Sequence, residues 1–139
     1  SAALPLAGQA RKPARSAWFA CTSIPEGLEN PVKVMSGEEL IEIELPRYMA
    51  SEPVKIPEDG IIRIVRAEAD AADPSKVNYL VLAQARIPDD VREALIILMP
   101  LAKPEGDLIF NAMVQDLADF KVGDRLYINL SNTTIRVIL

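Results

Sequence analysis

The residues of this chain best suited by type to do chemistry are its carboxylates. Glu42 and Glu44 alternate with apolar residues in Ile41-Glu42-Ile43-Glu44-Leu45, and Glu38 and Glu39 stand just before them. Two residues apart on a strand places both acids on one face. That spacing falls in the roughly 5–10 Å range that glycoside hydrolysis uses. A solvent-facing strand surface produces the same pattern without chemistry. Asp116, Asp119 and Asp124 flank a loop and supply the oxygen ligands calcium takes, but without the glycine-bearing spacing of a calcium loop. Asp70 and Asp73 are a weaker version of the same idea.

The chain has no histidine. Ser-His-Asp and Cys-His arrangements are therefore excluded, as are zinc and copper sites built on imidazole. The single cysteine, Cys21, sits beside Trp18 and Phe19 with no neighbouring base, and reads as a small core residue. Two triplets, Asn129-Leu130-Ser131 and Asn132-Thr133-Thr134, match the glycosylation acceptor. Their plain reading is a solvent-facing strand residue and a turn residue. There is no glycine-rich phosphate loop, paired-cysteine motif or nucleophile elbow. Three Tyr, three Phe and one Trp are too few to suggest base stacking or an aromatic sugar platform. The sequence therefore assigns no catalytic, cofactor-binding or metal-ligating residue, and an enzyme is not expected.

At 139 residues the chain fits one domain, large enough to fold without disulfides or metal. Arg11, Lys12 and Arg15 put +3 in the first twenty residues. Of the net −5, that leaves −8 on the remainder. An acidic body repels a phosphate backbone, so nucleic acid is not an expected partner. No stretch approaches the ~20 apolar residues of a membrane-spanning helix. Small residues followed by a Pro-bearing basic stretch read as a mature N-terminus or a linker, which points to export. The chain ends inside an apolar strand, so a few more residues are expected after it in the native protein.

The elements that must position these groups are short strands. Residues 1–15 read as a flexible basic tail or tether, and 16–139 as a single domain. Order begins at residues 16–22, with Trp18 as a core anchor. Residues 32–35 and 41–45 follow as strands. Residues 53–57, bounded by Pro53 and Pro57, suit a sheet edge. Glu58-Asp59-Gly60 is a turn, and residues 61–66 form a strand. A long strand over 77–87 sets Tyr79, Val81, Ala83 and Ala85 on one face. Residues 91–93 and 115–120 are each long enough for one helical turn. The run 94–99 is apolar on both faces and predicts the most buried strand. Residues 108–114 form the next strand. Residues 126–130 and 134–139 read as a closing hairpin with matching apolar parity.

Eight to ten short strands separated by turns at 8–12-residue intervals predict an all-β fold. The expected form is an antiparallel two-sheet sandwich with one or two short helical turns. The stretches Pro57-Glu58-Asp59-Gly60-Ile61-Ile62-Arg63-Ile64-Val65, Tyr79-Leu80-Val81-Leu82-Ala83-Gln84-Ala85 and Gly123-Asp124-Arg125-Leu126-Tyr127-Ile128-Asn129-Leu130-Ser131 resemble those of small exported bacterial proteins. The resemblance implies an immunoglobulin-like sandwich in the periplasm or cell envelope and carries over no site residues. The expected role is a binding or structural module for a protein or envelope component. A carboxylate enzyme such as a glycan hydrolase, and a self-assembling envelope component, are the alternatives.

Overall fold

Alternation along short runs of branched residues decides the architecture. The computed structural model describes residues 14–47 and 49–119, together with the backbone of 125–130 and 133–138. The strands are β1 (Ser16–Cys21), β2 (Val32–Ser36), β3 (Glu39–Ile43), β4 (Val54–Lys55), β5 (Ile61–Ala69), β6 (Val77–Arg86), β7 (Glu93–Glu105), β8 (Leu108–Asp116), β9 (Arg125–Leu130) and β10 (Thr133–Ile138). One four-stranded sheet has the order β4-β1-β7-β8, and a second has β3-β2-β5-β6. The C-terminal hairpin pairs Leu126 with Val137 and Ile128 with Ile135, in the expected parity.

The two four-stranded sheets share one core. Phe19, Ile96 and Leu98 from the first meet Val34, Ile62, Ile64 and Ala83 from the second. Full burial of each of the larger side chains stabilises the fold by about 1.5–3 kcal/mol. The run 94–98 is fully buried because β7 is covered on both faces. Ala94, Ile96 and Leu98 enter the shared core, while Leu95 and Ile97 pack with Ala20 and Leu117 in a second cluster.

Five expectations need correction. First, the pairing is mixed: β1 runs parallel to β7, Ser16 matching Glu93 and Cys21 matching Leu98. Parallel neighbours need a long crossover, and here the whole second sheet lies between the two strands in sequence. Second, Trp18 is only half-buried and packs on the second cluster. The adjacent Phe19, of opposite parity, anchors the main core at 2% exposure. Third, residues 91–93 do not form a helical turn. Val91 N–H closes a turn onto Pro88 O at 3.1 Å, and Glu93 already begins β7. The one helical turn among the described residues is a 3-10 turn at Leu117–Asp119, with Leu117 buried as expected. Fourth, β7 runs past Pro100 to Glu105, but its pairing to β8 lapses between those two residues. Proline has no N–H to give the ladder.

The fifth correction concerns β6. Between Ala83 and Val81 it advances two residues while β5 advances one, from Ile64 to Val65. Leu82 is the extra residue of a β-bulge, which reverses the parity of everything beyond it. Ala83 and Ala85 face the core. Val81 and Tyr79 lie on the opposite face, and Tyr79 is 41% exposed.

Candidate functional site

Beyond the bulge, β5 and β6 leave the core as a two-stranded arm. Residues 66–69 and 77–79 are all exposed. Ala67 is matched to Tyr79 and Ala69 to Val77, so one face of the arm is an apolar row. Val77 and Tyr79 are 53% and 41% exposed. The tip is held by aspartates. Asp70 Oδ1 accepts from Ala72 N at 2.8 Å and Asp73 N at 3.3 Å, and its Oδ2 from Asn78 Nδ2 at 3.2 Å. Asp73 Oδ1 accepts from Ser75 N at 3.1 Å and Ser75 Oγ at 2.6 Å. These donors hold both carboxyls below the ordinary value of 3.8, led by the Ala72 N–H for Asp70 and the Ser75 hydroxyl for Asp73. Such bonds are turn-forming, so these two acids shape the loop.

The β7–β8 hairpin projects at the same end, with residues 102–107 exposed. Between the bases of the two arms lies a recess of about 430 Å³, walled by Leu28, Val65, Leu82, Pro100, Leu101 and Ile109. Both register breaks, at Leu82 and after Pro100, fall on this recess. Bulges re-aim strands and gather at functional edges. The rim carries Arg66 and the pair Lys33–Glu29, whose charged atoms are 4.0 Å apart.

At the opposite end an open polar cleft of about 740 Å³ lies beside β4, lined by Arg15, Ser36, Glu38, Glu39, Lys55 and Arg92 among others. It is larger, but charges of both signs and a blunted edge define it. β4 is a two-residue edge strand, as the bounding prolines imply. The Lys55 carbonyl accepts from Ser36 Oγ of the other sheet at 2.6 Å. Shortness, lysine and flanking proline are the devices that keep sheet edges from pairing.

The sequence did not single out Arg15 or Asn30. Arg15 Nε donates to Val91 O at 2.8 Å and its guanidinium to Pro88 O, while Ile56 N–H donates to the Arg15 carbonyl at 2.9 Å. Order thus reaches Arg15, which had been assigned to the tail. Residues 1–13 of that tail lie outside the described residues. Asn30 clamps Leu45 by Oδ1 to its N–H at 2.9 Å and Nδ2 to its carbonyl at 3.1 Å. Neither role has a local signal, because each partner lies far along the chain.

Glu42 and Glu44 are both exposed, with Glu42 directly opposite Lys33 across the β2–β3 pair. Neither is desolvated in the way a proton-donating carboxyl requires. Glu38 and Glu39 are exposed on the polar cleft, away from the arms. Asp116 Oδ1 accepts from Ala118 N at 2.9 Å and opens the 3-10 turn, and Asp119 is exposed. Asp124 and Asn132 lie outside the described residues, while Asn129 is within β9. Among the described residues no three acids or cysteines gather as a metal site. Cys21 is buried, its thiol donating to Ser23 O at 2.7 Å, and burial raises it to about 11. Among the described residues no helix is long and apolar enough to cross a membrane. Comparison of the chain with protein-family models, curated proteins and solved structures finds no match.

Proposed function

We propose that this chain is a non-enzymatic binding or structural module working outside the bacterial cytoplasm. In this reading it is an immunoglobulin-like sandwich whose contact surface is the end bearing the two hairpin arms. One observation carries the proposal: both arms project from the same end, and an aliphatic recess lies open between their bases. Loops and hairpin tips on a rigid sheet scaffold are where recognition concentrates. The sequence stretches that resemble exported proteins support the location. Fold by itself does not name an activity, so the surface carries the argument. The test is a photo-reactive residue placed at Leu101 or Lys103 on the β7–β8 arm, and at Glu58 on the far end, in cells of the source bacterium. Adducts to another molecule from the arm and not from Glu58 are expected, in the extracytoplasmic fraction. Equal labelling at all three positions, or protein confined to the cytoplasm, would sink the reading.

A further inference from the structure

One of the two outer strands of the second sheet, β6, is unlike the blunted β4. Along residues 77–80, β6 reads Val-Asn-Tyr-Leu, with neither proline nor charge. It is the last strand of its sheet, so its outer N–H and C=O groups have no strand partner among the described residues. Such an edge is a template for another strand. Farther along, Ala83 and Ala85 face the core alongside Ala112 of β8, and the stretch that stands clear of the core is the outer half of β6, residues 77–79.

We propose that the occupant is a second copy of this chain, its β6 pairing antiparallel with the first about a two-fold axis at Asn78. In a two-fold contact the same patch must match itself. Centring on Asn78 sets Val77 opposite Tyr79 of the second copy, and Tyr79 opposite its Val77. Aromatic against β-branched is a favourable cross-strand pair. Lys76 then falls opposite Leu80, so no like charges meet. Centring one residue later sets Asn78 against Leu80 and Tyr79 against itself, a poorer match. The apolar row of Ala67, Ala69, Val77 and Tyr79 becomes continuous across both copies. The union makes one eight-stranded sheet. Four residues a side make a small contact, well below a standard interface, so the dimer is weak, with a Kd above ~1 µM.

This assignment rests on the reading of the hairpin end as the contact surface, narrowed to one edge and one partner. Sedimentation equilibrium of the full chain, from roughly 1 µM to 1 mM, tests it. The expected result is a reversible monomer–dimer equilibrium, weakened at least tenfold by Tyr79→Lys and by Val77→Lys, and kept by Tyr79→Phe. Both target positions are exposed, and circular dichroism verifies that each variant is folded. Asn78→Cys should oxidise to a disulfide-linked dimer, because directly opposed Cα atoms in an antiparallel pair lie ~4.5–5.5 Å apart. Gln84→Cys and the parent chain with Cys21 alone should not. A chain that stays monomeric at 1 mM, or a dimer that Tyr79→Lys leaves intact, overturns the assembly. If Leu101 and Lys103 still cross-link to another molecule in that case, the module reading stands without it.

Discussion

At the scale of single residues, Gly60 shows how one position ties two strands together. Its φ is +74°, its N–H reaches Pro57 O at 3.0 Å, and its carbonyl accepts from Ile87 N at 2.8 Å. A Cβ there would stand 2.4 Å from Ile87 O. The left-handed backbone alone disfavours a side chain, and here neighbouring backbone adds a clash. Gly60→Ala should cost about 2–4 kcal/mol, read as a lowered urea midpoint with unchanged slope. Asp70 and Asp73 act at the same scale through their charge. Because their folded-state values are depressed, they stabilise the fold above pH 3.8, and that support is lost as pH falls below it. Asp70→Asn with Asp73→Asn should give a shallower loss of stability through this acid window. An unchanged acid limb in thermal melts would refute the linkage. The turn at Gly60 was legible because its signal is local in sequence, whereas Asp70 and Asp73, read as weak calcium ligands, form the turn bonds of their loop instead.

At the scale of elements, β7 shows the best agreement between pattern and structure. A run apolar on both faces demands cover on both, and the structure supplies it from the shared core and from the cluster around Leu117. Ile96 is fully buried in the first. Ile96→Ala should destabilise by about 2–5 kcal/mol in chemical denaturation. A cost below ~1 kcal/mol would mean that the two sheets do not pack as described. β6 shows the opposite case. Period-2 reading assumed one unbroken parity from Tyr79 to Ala85, and the bulge at Leu82 broke it. Leu82 and Ala83 are consecutive and both buried, as are Ile64 and Val65. The unbroken apolar run Tyr79-Leu80-Val81-Leu82-Ala83 is the trace the sequence carried. That trace does not say which residue is extra, since the answer depends on how the two strands align.

At the scale of the whole molecule, the hairpin end and the polar cleft lie at opposite ends of the two sheets. An acidic body with an apolar row on one arm suits selective contact better than general adhesion. If β6 pairs between copies, folding and association are linked, and ligand-like mass action raises the melting temperature with concentration. The parent chain should therefore melt higher at 1 mM than at ~10 µM, while Tyr79→Lys should show a smaller shift over the same range. A parent midpoint that does not move with concentration would speak against the linkage.

The all-β class, the edge character of residues 53–57, the deep burial of 94–98 and the inert setting of Cys21 follow from residue type and spacing alone. Each depends on neighbours a few positions away, where propensity and periodicity act. The parallel match of β1 to β7, the Arg15 and Asn30 clamps, the half-burial of Trp18 and the gathering of both arms at one end do not. Each depends on segments brought together from far along the chain. Many pairings satisfy the same local pattern, and only the close packing of two complete sheets selects one of them.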